Sequence, residues 1–140
     1  DQMHQVRIHQ KESFPTIFTN ALNHSIQTLL FILGVTTAFL ILTTLTLKQL
    51  PIPEVLKSVC NGMIEMTQGL KYISLLNIPL KLKGVLTVMI LSFGGFSVHM
   101  QLIGILSKSK IKYFPYLTAR LLHALIASLL FFFSFEFFMP

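Results

Sequence analysis

Two short runs in this 140-residue chain place reactive or ligand-binding groups among strongly apolar neighbours. The first is Gly62-Met63-Ile64-Glu65-Met66-Thr67-Gln68-Gly69, where one carboxylate is flanked by aliphatic and thioether side chains. Holding a charged carboxylate at membrane depth costs several kcal/mol, so Glu65 is expected to face a cavity, meet a cation or take up a proton. It is a candidate for binding a coupling cation or touching a solute. The plainer reading is a structural ion pair with Lys71 or Arg120. The second run is Phe93-Gly94-Gly95-Phe96-Ser97-Val98-His99-Met100-Gln101, at the centre of the uncharged stretch from Gly84 to Leu106. Each glycine inside a helix costs about 1 kcal/mol relative to alanine, so the adjacent pair predicts a broken helix. One piece would end before Gly94 and another begin near Ser97, with Ser97 as a candidate N-cap. Broken helix ends leave backbone groups unpaired and dipoles oriented, N-termini suiting anions and C-termini cations. The plainer reading is that both glycines permit close helix packing.

Further polar groups surround these runs. Gln101 offers donors and an acceptor, suited either to a heteroaromatic or carboxylated ligand or to bridging neighbouring helices. His99 and Gln101 are two apart and point in different directions on a helix, and a lone intramembrane histidine most often bonds helix to helix. Arg120 and His123 are three apart, hence on one face, expected to look inward. Arg120 could grip a carboxylate through a bidentate fork or snorkel to head groups. Tyr113 and Tyr116 fit an interfacial aromatic belt, and the phenylalanine-rich run from Phe131 to Phe138 fits a face toward lipid or neighbouring helices.

The elements that must hold these groups are helices in a bilayer. The chain is 53% hydrophobic and 11% charged with mean hydropathy +0.70, outside the range of soluble domains. Residues 1 to 20 read as a polar or interfacial lead-in, with Phe14 onward lying along the interface. Ile26 to Leu47 gives 22 uncharged residues and a first span, ended by Lys48, Pro51 and Pro53. The stretch from Glu54 to Leu76 is just long enough to span, but its polar load favours a re-entrant or broken segment, its two helical pieces joined near Thr67 to Gly69. Gly84 to Leu106 is the broken span, Lys108, Lys110 and Lys112 form a basic connector, and Tyr113 to Phe138 is the last span.

Composition also removes function classes. The net charge of +6 is carried mostly by basic residues between apolar stretches, which indicates anchoring at anionic head groups rather than binding of nucleic acid. The single cysteine, Cys60, excludes an internal disulfide framework and a multi-cysteine zinc site, and is expected as a packed side chain. No metal-ligand cluster, phosphate-binding glycine loop or nucleophile elbow is present, so neither enzymatic activity nor a cofactor is expected. The chain opens at Asp1 without an initiator methionine and reads as cut from a longer protein. Its spans would need partner helices from a missing N-terminal part or from another copy.

Glu65-Met66-Thr67-Gln68-Gly69 in the weak segment, followed by Gly94-Gly95-Phe96-Ser97-Val98-His99-Met100-Gln101 in the broken one, resembles the nucleoside-recognition or Gate domain. That domain recurs in concentrative nucleoside transporters, spore maturation proteins and ferrous iron transporters. From about Asn61 through Ser128 the chain also resembles the sporulation integral membrane proteins of endospore-forming bacteria, over their C-terminal half. The resemblance implies an all-α polytopic membrane fold with paired repeats, of which this chain holds one. It implies substrate-binding roles for Glu65, Thr67 and Gly69 at one break and for Gly94, Gly95, Ser97 and Gln101 at the other. It further implies movement of dipicolinic acid across the outer forespore membrane, with Arg120 and Gln101 suited to its carboxylates and ring. The expectation is therefore half of a secondary-transporter-like protein for a small polar or anionic solute. The alternative is a non-transporting assembly or maturation factor, its polar groups holding helices together. A ferrous iron pore is disfavoured by the lone thiol and the lack of a His or carboxylate cluster.

Overall fold

A computed structural model of the chain describes residues 13–47, 49–107 and 109–138. The polar lead-in before Ser13, and the basic flanks expected at Lys48 and Lys108, lie outside the described residues. Six helices follow in order: α1 (Phe14–Leu47), α2 (Glu54–Ile64), α3 (Met66–Leu75), α4 (Leu80–Phe93), α5 (Gly95–Leu106) and α6 (Tyr113–Phe138), with no strand among the described residues.

Length sorts these helices. α1, the α4–α5 pair counted as one span, and α6 hold 34, 27 and 26 residues with window hydropathies of 2.2, 1.6 and 2.0, long and apolar enough to cross a bilayer. At about 1.5 Å per residue α1 reaches about 51 Å, well beyond a hydrocarbon core of about 30 Å. Its first turns, with Thr16, Asn20, Asn23 and His24, therefore extend past the core as a continuation of the first span. α2 and α3 have only 11 and 10 residues. Neither alone reaches across a bilayer core, and Gly69 packed on Gly62 folds them back on each other as a hairpin.

The hairpin turns at Glu65, which is extended (φ −137°, ψ 111°), rather than at Thr67 to Gly69 as the sequence predicts. The reason is that the Glu65 side chain accepts from the Gln68 backbone N–H and caps α3 itself, so the new helix begins at Met66. Gly69 lies inside α3 and serves close packing instead. The second break also falls earlier than expected. Gly94 is left-handed (φ 92°) and its N–H bonds back to Ile90 O at 2.8 Å, while α5 starts at Gly95 rather than near Ser97. Gly94 occupies the N-cap position, and Ser97 sits within the first turn without capping it. Only glycine adopts this backbone readily, which is why the pair stands there.

α4 lies along α6, joined by an ion pair from Lys81 Nζ to Glu136 Oε1 at 2.9 Å, with the same ammonium 4.1 Å from the Phe132 ring centre. α5 lies along α1, where Gly104 admits the Phe31 ring. The interior is unusual in kind. Buried apolar residues are Leu47, Ile73, Ile90, Phe93 and Ala124, whereas Thr43, Ser58, Asn61, Glu65, Ser92, Ser97 and His99 are buried as well. Large apolar side chains such as Leu30, Leu33, Leu130 and Phe133 are exposed along α1 and α6. Polar inside and apolar outside is the distribution a bilayer solvent selects.

Candidate functional site

The two helix breaks meet. Three glycines from separate parts of the sequence make the approach possible. A Cβ on Gly69 would overlap Gly62 Cα and N, so the hairpin arms touch backbone to backbone. Gly62 in turn is covered by the Ile90 side chain of α4. A Cβ on Gly95 would stand 3.0 Å from Gly62 O and 3.1 Å from Met66 N, which places the α4–α5 break directly against the hairpin tip. α4 has 14 residues and α5 has 12, so the break lies near the middle of the span, at membrane depth.

At the tip, Glu65 is 2% exposed. Its Oε2 accepts from Thr67 Oγ1–H and from Gln68 N–H at 2.8 Å, and no basic group stands within ion-pair distance among the described residues. The structural ion pair with Lys71 or Arg120 is thus replaced by hydrogen bonds from α3's own first turn. A helix N-terminus, with its unpaired N–H groups and positive dipole end, offers a carboxylate what a cation otherwise would. Thr67 fixes the second lone pair, and this explains an acidic residue two positions before a threonine.

On the other side of the crossing Ser97 is 1% exposed, and its hydroxyl has no hydrogen-bond partner among the described residues. Leaving a buried hydroxyl unpaired costs about 1–3 kcal/mol. Ser97 belongs to the first turn of α5, whose backbone N–H groups share the same orientation, so this end of the helix offers an acceptor-type ligand both N–H donors and a hydroxyl.

The C-terminal end of α4 is held differently. Phe93 O accepts from Arg120 Nε at 3.1 Å and from His99 Nε2 at 3.1 Å, and Leu91 O accepts from Arg120 Nη2 at 3.3 Å. A carbonyl oxygen only accepts, so His99 carries its proton on Nε2, and its Nδ1 accepts the Tyr113 hydroxyl at 2.7 Å. Arg120 therefore neither snorkels nor meets a protein carboxylate. It places positive charge on the negative end of the α4 dipole. His123, expected to look inward beside it, is exposed in this chain.

Gln101 stands apart from the crossing. Its Nε2 donates to Thr36 Oγ1 of α1 at 2.9 Å, which is the helix-bridging role of the two the sequence allowed. The structure thus brings Glu65, Thr67, Gly69, Gly94, Gly95, Ser97 and Arg120 around the two breaks and leaves Gln101 on the α1–α5 seam. Sequence reasoning missed Gly62, which is spaced seven before Gly69, and Tyr113, assigned to an aromatic belt. The Gly62–Gly69 pairing was visible only as two small residues flanking the future turn.

Three helices long and apolar enough to span, a hairpin of two short helices and a polar interior define an integral membrane domain, all-α and polytopic. Over 144 aligned residues the chain is 32% identical to the sporulation integral membrane protein YlbJ of Bacillus subtilis (strain 168), covering 90% of this chain and 35% of that protein. The chain spans about a third of the length of the curated relative it matches. No protein-family model matches the chain, and no solved structure matches it.

Proposed function

We propose that this chain is part of a sporulation membrane protein and forms one half of a pathway for a small polar or anionic solute. The observation that carries the reading is the packing of two helix breaks at membrane depth with a buried, unpartnered Ser97 hydroxyl at the start of α5. A helix start of this kind turns N–H donors and the positive end of its dipole toward an anionic oxygen. The likeness to a sporulation integral membrane protein supports the setting, in the bacterial cell membrane or the outer forespore membrane. Dipicolinic acid, implied by the resemblance, is a single-ring dianion with carboxylates suited to the α5 start and to the Arg120 N–H donors not engaged with Phe93 O and Leu91 O. Glu65 opposes such a dianion in its charged form, so a proton or cation at Glu65 would accompany entry. The other half of the pathway would come from the rest of the protein or from another copy.

A second reading, a membrane assembly factor without transport, is favoured by the Gln101–Thr36 bond and by Arg120 serving backbone carbonyls. Ser97→Ala in the full-length protein of sporulating cells separates the two. Because the hydroxyl has no partner, its removal leaves folding and membrane abundance intact. Under the transport reading spores nevertheless lose dipicolinate, whereas normal dipicolinate at normal abundance removes Ser97 from any solute path.

A further inference from the structure

A second polar space lies away from the crossed breaks, between the C-terminal third of α1 and the outer faces of the hairpin. It is a cleft of about 350 Å³ in which every lining residue has a polar side chain. Its deep wall is formed by Thr43, Ser58 and Asn61, which are 1%, 2% and 3% exposed. Such a lining is not required to pack three helices in a chain that is 53% hydrophobic.

The hydrogen-bond inventory of the lining decides what it can hold. Thr43 Oγ1 and Thr44 Oγ1 both donate to Leu40 O, at 2.9 and 2.8 Å, and Ser58 Oγ donates to Glu54 O at 2.8 Å. Each hydroxyl has one proton, so all three present only lone pairs to the cleft. Asn61 Nδ2 donates to Lys57 O at 2.9 Å, and its Oδ1 has no donor among the described residues. Gln68 and Tyr72 close the side toward α3 and are bonded to each other at 3.3 Å. At the mouth, Lys57 and Glu54 pair at 3.5 Å and leave the lining without net charge. The deep wall thus turns the lone pairs of Thr43, Ser58 and Asn61 Oδ1 to the cleft against one unused donor of its own, the second Asn61 Nδ2 proton.

We propose that this cleft is a binding site for a small solute of no net charge that leads with hydroxyl or ammonium donors. The volume, at the small end of ligand pockets, admits a single-ring or smaller molecule and is far larger than a bare ion needs. A dianion has no donors to offer and would meet the lone pairs of Thr43, Ser58 and Asn61, so this site is distinct from the anion path proposed at the α5 start. It stands or falls independently of that reading.

Thermal unfolding of the full-length protein in detergent tests it, with L-serine and myo-inositol as donor-bearing probes at millimolar concentration. Glycine betaine, a zwitterion without N–H or O–H donors, is the control. The expected result is a saturable rise in midpoint with at least one donor-bearing probe and none with glycine betaine. Thr43→Val, similar in shape, weakens the apparent affinity by about threefold to tenfold, the equivalent of one hydrogen bond. Ser58→Ala checks the same wall should Thr43→Val fail to accumulate. No saturable rise with either probe, an equal rise with glycine betaine, or affinity unchanged in both variants overturns the proposal.

Discussion

Gly69→Ala tests the crossing of the two breaks most directly, and Gly34→Ala is its internal control. Both glycines lie inside helices, where alanine gains about 1 kcal/mol in propensity. Gly34 has nothing within 4 Å of an added Cβ, so that gain is kept and α1 is stabilised or unchanged. At Gly69 the same methyl would overlap Gly62 Cα and N and stand 3.2 Å from Asn61 C. These are backbone atoms and have no rotamer by which to escape. Restoring carbon contacts of about 3.5–4.0 Å requires the hairpin arms to part by on the order of 1.5 Å. Overpacking typically costs about 1–3 kcal/mol even against side chains, and backbone atoms place this site at the upper end, so after the propensity gain of about 1 kcal/mol a net loss of about 2 kcal/mol is expected. Parting the arms also withdraws Met66 N and Gly62 O from Gly95, so under the transport reading spore dipicolinate should fall together with stability. The assay is thermal or denaturant unfolding of the purified full-length protein, alongside its membrane abundance. Equal stability of Gly69→Ala and Gly34→Ala would refute the backbone contact at Gly62 and with it the folded hairpin.

Other consequences follow from single bonds. Replacing Gln101 with Ala and Thr36 with Val, singly and together, should give a coupling of about 0.6 kcal/mol in a double-mutant cycle of unfolding, typical of one interhelical bond in a membrane; zero coupling would detach Gln101 from α1. Tyr113→Phe removes the only donor to His99 Nδ1 among the described residues and should lower stability by about 1–3 kcal/mol. An unchanged unfolding midpoint in Tyr113→Phe would mean that Nδ1 has another partner.

Much of the frame was legible in the residues. Long apolar runs at Ile26–Leu47, Gly84–Leu106 and Tyr113–Phe138 read as helices in a bilayer because a helix satisfies its backbone within the segment itself. The polar load of Glu54–Leu76 pointed to a re-entrant or broken segment, and the glycine pair announced a break. The exact turns were not legible, since they depend on competition between caps. Glu65 outbid Gly69 because its carboxylate reaches Gln68 N–H, and Gly94 displaced Ser97 because a left-handed residue ends α4 before Ser97 is reached.

What the sequence determined by itself was the solvent, the helical class and the two segments that contain a break, because these rest on composition and on local backbone preference. Which polar group meets which was decided only by tertiary packing. Arg120 found the carbonyls of Phe93 and Leu91, Gln101 found Thr36, and Gly62 found Gly69 and Gly95. Those partners are up to 65 residues apart in the chain, a separation on which helical periodicity carries no information. They become neighbours only when buried donors and acceptors, cut off from water by lipid, must satisfy one another.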